Sequence, residues 1–364
     1  MDGNNDWAST ILVLLILGSF LLNFTDIPQK MQLWRYSSYI RKRIIQLTEI
    51  EDESKRKVIK YLSRLNVENP RKVLEGFIDN FFMISPVDIE PTDIIRRMRH
   101  LIRIRDDSIR KYVKENLPNA TLVQRQNAEV LLEISSVLTL INKIVKHYFQ
   151  LGLKYNNWIL MMQLALELQQ VVRLAKAYDD AMDSFMKGTP IGDGAGPLVA
   201  YYLKGDAEPV EISRETVYYL TEIEGRKVYV IKAKGPGSTV GWPGEAVEKI
   251  INDLGSSVSR IITVDAALKL ESEKTGEVAY GVGAAIGDPG PEKIAIERAA
   301  TKYGIPLDAV VIKMSNEEAI NTMTKQVFEG VRKAIEIVKR IIKEKVPKDG
   351  IAVVVGIGNT VGIT

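Results

Sequence analysis

The chain has 364 residues, enough for two domains, and its hydrophobic content of 46% is ample for a core. Lys and Arg number 49 against 46 Asp and Glu, and this near-even balance argues against a nucleic-acid partner. With no cysteine there is no disulfide, thiolate catalysis or Cys-ligated metal. The two histidines, His100 and His147, both lie in the first half, which speaks against a Ser-His-Asp triad or a multi-histidine zinc site.

From Trp7 to Thr25 the chain runs about nineteen residues without a charge, a length that just spans a hydrocarbon core. Asp2 and Asp6 precede the run; Lys30, Arg35, Arg41, Lys42 and Arg43 follow it. The positive-inside rule then predicts one N-terminal transmembrane helix, with the N terminus outside and the rest on the cytoplasmic side of the cell membrane. The acidic start and the ending Asn23-Phe24-Thr25-Asp26 fit an uncleaved anchor better than a signal peptide.

Residues 30–187 carry helix-like apolar spacing and few glycines, which predicts an α-helical bundle. The expected helices are 30–48, 52–65, 70–83, 91–115, 120–150 and 155–187, with Pro70, Pro86, Pro91 and Pro118 at the breaks. The run Arg96–Arg105 is the sharpest charge cluster. It suits anionic lipid headgroups beside an anchor, or a solvated helix face paired with Asp106, Asp107 and their neighbours. Met161 and Met162 read as core, and His147 as a packed histidine.

Near Lys187 the composition changes, and strands begin to alternate with helices. Expected strands are 216–223, 227–233, 260–264, 278–285, 309–313 and 351–355, the first two joined as a hairpin at Glu224-Gly225. Expected helices are 197–204, 243–254, 291–303 and 316–345, the last opened by a capping box from Ser315 to Glu318. This alternation predicts a three-layer α/β domain over 188–364 with a mainly parallel sheet. The domain order is thus an anchor at 1–29, a helical domain at 30–187 and a glycine-rich α/β domain at 188–364.

Sites in such sheets form at the carboxyl ends of the strands. Four glycine-rich loops fall there: Gly192-Asp193-Gly194-Ala195-Gly196, Gly235 to Glu245, Gly287-Asp288-Pro289-Gly290 and Gly356-Ile357-Gly358-Asn359. A loop of this kind before a helix can hold an anion on free backbone N–H groups. The stretch 235–244, with Gly237, Gly241 and Gly244, is the best phosphate-binding candidate, although it is not a P-loop. The acids at these ends are Asp193 and Asp265, with Glu245 as a third. Plainer roles stand beside catalysis: Asp193 as a helix cap, and Asp265 ending its strand on turn amides.

Taken together, these motifs resemble the peptidase fold of the spore germination proteases and hydrogenase maturation proteases. In that family a strand ends in Gly-x-Gly-Asn, to which Gly356-Ile357-Gly358-Asn359 is similar. An acidic residue then precedes a helix-starting glycine, as Asp193 does here. Pro236-Gly237, Gly244-Glu245, Asp265-Ala266-Ala267-Leu268, Ile286–Pro291 and Gly304-Ile305-Pro306 resemble the germination-protease segments that follow. The Gly-x-Gly-Asn strand should come first, whereas here it comes last. A circular permutation that inserts the terminal strand beside the Asp193 loop would reconcile the two.

The resemblance implies an aspartic-type endopeptidase in which Asp193 and Asp265 face each other across a cleft and act on a protein or peptide. Gly194, Gly196, Gly237, Gly241, Gly244, Asp288, Gly290, Gly358 and Asn359 would then line the ligand site. The same two acids could instead hold a divalent metal; with no histidine in this domain, oxygen ligands would favour Mg²⁺ or Mn²⁺. A non-catalytic receptor or scaffold that binds a phosphorylated small molecule is the other reading, and an oligomer is compatible with either. The full chain also resembles an uncharacterised family of archaeal membrane-associated proteins.

Overall fold

A computed structural model describes residues 11–17, 27–81, 93–287 and 290–364. It corrects the expected anchor: among the described residues no helix is long and apolar enough to cross a membrane. Within the run 7–25 only 11–17 are described, and they are helical. The rest of the run lies outside the described residues. The orientation inferred from its flanks, and the cytoplasmic placement of the remainder, lose their basis with it.

Five long helices follow: α1 Ile27–Arg64, α2 Pro70–Asn80, α3 Ile94–Asn116, α4 Leu122–Lys154 and α5 Trp158–Lys187. The break expected between 48 and 52 is absent, because Glu49-Ile50-Glu51-Asp52 contains neither Gly nor Pro and all four residues tolerate helix. Asn69 caps α2 by accepting the Lys72 N–H at 3.2 Å, and Pro70 takes the first helical position.

The chain divides into two compact units. One comprises the described residues within 1–53 together with 137–176; the other comprises 54–136 and 177–364. In the first unit Ile40, Leu47, Leu138, Met161 and Leu168 are buried, and Asn142 donates to Thr48 Oγ1 at 3.1 Å. Met162 is half-buried, and His147 is exposed rather than packed.

The second unit contains the α/β fold. Its elements after α5 are α6 Ala195–Leu203, β1 Val210–Ser213, β2 Thr216–Ile223, β3 Arg226–Ala233, α7 Pro243–Leu254, β4 Val258–Leu268, β5 Val278–Val282, α8 Pro291–Tyr303, β6 Leu307–Met314, α9 Asn316–Ile320, α10 Lys325–Lys345 and β7 Ile351–Gly356. They build one seven-stranded sheet in the order β1-β2-β3-β7-β4-β6-β5. The sheet is mixed rather than mainly parallel. β3, β7, β4 and β6 run parallel at its centre, but β1 and β2 extend one edge antiparallel and β5 closes the other antiparallel. At the β1-β2-β3 edge the strands are joined by short hairpin turns, which cannot join parallel strands, whereas β5 and β6 are connected through α8.

The last strand in sequence, β7, sits in the middle of the sheet between β3 and β4. It carries a continuous apolar run, Ala352-Val353-Val354-Val355, all fully buried, as a strand covered on both faces requires. Ala352 and Val354 face α6 and α10; Val353 and Val355 face α7 and α8. The α/β part therefore has three layers. The helix expected at 316–345 is two helices. Its capping box on Ser315 and Glu318 opens α9, Thr322 bridges to Ile191, and Thr324 caps α10 anew.

Candidate active site

Asp265 lies on β4, one residue beyond the last pairing of β4 with β7. It is buried, and both of its oxygens are held: Oδ1 accepts the Ala266 N–H at 2.7 Å and Oδ2 accepts the Gly287 N–H at 3.0 Å. Asp193 precedes α6 and makes no capping bond to that helix. Its Oδ2 instead accepts the Asn359 N–H at 2.8 Å, from the loop that follows β7. Asn359 is in turn fixed by Ser238, whose Oγ accepts from its side-chain amide at 2.9 Å.

Two acids separated by 72 positions thus line one cavity, Asp265 from β4 and Asp193 from the turn before α6 that is tied to the loop after β7. Burial pushes the Asp193 carboxyl above the usual carboxylate range, against the pull of the Asn359 N–H. Burial pushes Asp265 well above that range, and the neighbouring Asp193 charge adds to the rise. Like charges in a dry site cannot both stay ionised, so the pair retains a proton where an exposed carboxyl would not.

A cavity of about 430 Å³ opens over the pair. Ile102, Val240, Trp242, Ile286 and Ile357 give it apolar walls, and Arg99 and Arg103 of α3 lie on its rim. The arginine run is divided: Arg105 lies 3.7 Å from Asp106 and Arg96 3.8 Å from Asp93, while Arg99 and Arg103 turn to the cavity. Arg103 pairs with Glu245 and stacks 4.1 Å above the Trp242 ring. Arg99 donates to the Pro291 carbonyl at 3.2 Å, and Arg105 pairs with Glu133 at 2.6 Å. Arg96 remains exposed.

The other predicted site residues divide. Gly241, Gly290 and Gly358 line the cavity. Glu245 is occupied by Arg103 and by Lys249 at 2.9 Å; burial works to raise its carboxyl, but these two cations outweigh burial and hold it below the usual range. Gly194 and Gly196 belong to the tight start of α6. Gly237 is tied to the C-terminal tail by Thr360 Oγ1, which donates to its carbonyl at 3.0 Å. Asp288 lies outside the described residues.

The anion position expected at 235–244 is already filled. Glu292 Oε2 accepts the Gly244 N–H at 2.8 Å and the Glu245 N–H at 3.2 Å, so a side chain from α8 caps α7. Glu292→Ala should therefore lower stability by about 1 kcal/mol, the usual cost of a lost N-terminal cap, as read by urea unfolding. Among the described residues no group of three or more His, Cys, Asp or Glu is placed to hold a metal. The Asp265 oxygens are both spent on backbone N–H groups, and Mg²⁺ demands near-ideal octahedral oxygens, so the donor set does not fit a tight divalent site.

Behind the 238–240 loop a second pocket, of about 220 Å³, gathers Asp106, Glu129, Glu133 and Glu215 around Arg110. Arg110 pairs with Glu215 at 2.6 Å, leaving Glu129 at 3.9 Å. Burial raises Glu129 to about 7; Arg110 opposes this, while Glu215, Glu133 and Asp106 reinforce it. The folded state thus binds a proton here that the unfolded chain gives up above about 4.5. That stabilisation is complete below about 4.5 and is lost as pH rises through about 7. Glu129→Gln should match wild type in urea unfolding at pH 4 and exceed it by roughly 2–3 kcal/mol at pH 8.

Two family models match the chain. Residues 13–188 match the model described as "Protein of unknown function (DUF1512) N-terminal domain", and residues 191–364 match "Domain of unknown function (DUF1512) C-terminal". The chain belongs to the DUF1512 family. No curated protein matches it. Asp193, Asp265 and the Gly-x-Gly-Asn loop all fall within the C-terminal family domain, and the α3 arginines at the cavity rim fall within the N-terminal one. No sequence signal points to Glu292, Trp242 or Arg103 as neighbours, because their contacts join segments 48 to 142 positions apart.

Proposed function

We propose that this cleft is the active site of a peptide hydrolase of the aspartic type. The observation that carries the reading is the Asp193–Asp265 pair, two carboxyls that line one cavity, both raised by burial, with the Asp193 charge adding to the rise at Asp265. The central position of β7 supports the same reading, since it brings Gly358 and Asn359 against Asp193 as the permuted peptidase order requires.

The chemistry follows from the unequal environments. Asp265, the more strongly raised, keeps the proton; Asp193 is the base. A water between them gives its proton to Asp193 as its oxygen bonds to the peptide carbonyl carbon, and Asp265 protonates the carbonyl oxygen. The resulting gem-diol collapses: one hydroxyl returns its proton to Asp265 as C=O re-forms, the C–N bond breaks, and Asp193 passes its proton to the leaving amine, which restores the starting pair. The apolar walls around Trp242 exclude bulk water and strengthen these interactions.

The phosphate-binding reading has less support, because four carboxylates, Asp106, Asp193, Asp265 and Glu292, line the cavity and Glu292 already occupies the helix terminus. Incubating the full chain with a pool of unstructured peptides and sequencing new termini tests the proposal. Cleavage by wild type and by neither Asp193→Asn nor Asp265→Asn supports it; no cleavage at any pH from 4 to 9 rejects it.

A further inference from the structure

One face of α3 lines the cavity over the carboxyl pair: Arg99, Ile102, Arg103 and Asp106, spaced i, i+3, i+4 and i+7. In the middle of this stripe Ile102 is apolar and Arg103 is neutralised by Glu245. Its two ends carry opposite charges, and both have capacity to spare. Arg99 makes a single hydrogen bond among the described residues, from Nη2 to the Pro291 carbonyl. That neutral partner leaves its charge, and most of its five N–H donors, uncommitted.

Asp106 stands among Arg105, Arg110 and Arg214, but each of these has a nearer acid: Glu133 at 2.6 Å, Glu215 at 2.6 Å and Asp107. Its one ion pair among the described residues is the long contact with Arg105, at 3.7 Å. Burial pushes the Asp106 carboxyl up, further than the three arginines pull it down, so the group gains from a cation brought to it. A second cavity, of about 390 Å³, shares Asp193 and Asp265 and runs towards α9, but apart from those two it contains no charged residue. Countercharges for a ligand therefore come from α3.

Their spacing sets a length. Seven residues of helix advance about 10 Å, and an extended peptide covers that distance in about three residues at ~3.3–3.6 Å each. The cavity volume of about 430 Å³ lies near the lower end of the ~300–1,000 Å³ of small-ligand sites. We infer that the substrate is a short free peptide of about three residues, its terminal ammonium paired with Asp106 and its terminal carboxylate with Arg99. The inference rests on the hydrolase reading. A free peptide of this length satisfies both charges, and the guanidinium can grip a carboxylate through two N–H groups. A long chain threaded through the cavity sets neutral amides against both charges and leaves each without a partner as it is desolvated.

The test uses the full chain and apolar peptides of two to ten residues, with free, acetylated or amidated ends. Expected is a maximum of kcat/KM near three residues. Acetylation or amidation should each lower it roughly ten- to a hundredfold, the range for one hydrogen bond to a charged group. Arg99→Gln should erase the preference for a free carboxylate and keep that for a free amine; Asp106→Asn should do the reverse. Arg99→Lys, which keeps the charge but not the fork, should retain part of the preference. Equal cutting of free and capped peptides, or of ten-residue and three-residue ones, overturns the inference and leaves the hydrolase reading standing. Binding separates the two claims from the other side. With millimolar free tripeptide the Tm of Asp265→Asn should rise, and with the doubly capped tripeptide it should not. That result upholds the capture of both termini even where wild type cuts nothing, whereas no rise, or an equal rise with both peptides, overturns it.

Discussion

Asp265→Asn is expected to lower kcat/KM for peptide hydrolysis by at least about a thousandfold, the upper range for losing a positioned acid or base, with the fold intact. Asparagine keeps the shape and one acceptor for the Gly287 or Ala266 N–H, but it cannot give a proton to the carbonyl oxygen. Asp193→Asn should cost as much through the other half of the reaction, because the amide cannot take the proton from water. The double variant should be little worse than either single one, since groups that act as a unit are not additive. Two single variants that retain activity within threefold of wild type would remove the pair from the mechanism.

The pair also fixes the sign of the pH response. The folded carboxyls titrate above their ordinary value of 3.8, so between that value and the folded one the native state holds protons the unfolded chain has lost. Their contribution to stability is complete below about 3.8 and is lost as pH rises through the folded values. The Tm of wild type should fall across this interval, and Asp265→Asn should flatten the fall. Activity should instead be bell-shaped, because only the singly protonated pair has both an acid and a base. Thermal melts and initial rates over the same buffers separate the two curves.

The candidate site is legible where local chemistry marks it. Asp193 and Asp265 stand beside glycines or at a strand end, and the Ile351–Val355 run can only be a covered strand. What local pattern does not encode is adjacency. The sheet order places β7 between β3 and β4, which depends on pairings of residues about 90 to 125 positions apart. The arginine run invites a lipid or solvent reading because the partners of Arg99 and Arg103, Pro291 and Glu245, lie more than 100 residues downstream. Strand β1 gives little signal because Val210-Glu211-Ile212-Ser213 is a short edge strand with only two apolar residues on its inner face. The anchor rests on an uncharged run alone, most of which lies outside the described residues, and among the described residues no helix is long and apolar enough to cross a membrane.

Gly196→Ala should unfold the site and cost at least about 2 kcal/mol of stability, in the range of overpacking a tight contact. A methyl group there would overlap the Ile357 and Val264 carbonyl oxygens, both on backbone with no room to yield. Helix α6 touches β7 through this gap, and the contact holds Asp193 within reach of the Asn359 N–H. Gly358 is the other side of the same joint. Its φ of +132° is strained for any L side chain, and a Cβ would overlap the Asp193 carbonyl oxygen. Gly358→Ala should therefore separate the two carboxyls and abolish hydrolysis. Gly281→Ala on β5 is the control: nothing lies within 4 Å of its added methyl, and its Tm should match wild type. If Gly196→Ala and Gly358→Ala melted and cleaved as Gly281→Ala does, the close approach of α6 to β7 would not be what places Asp193 opposite Asp265.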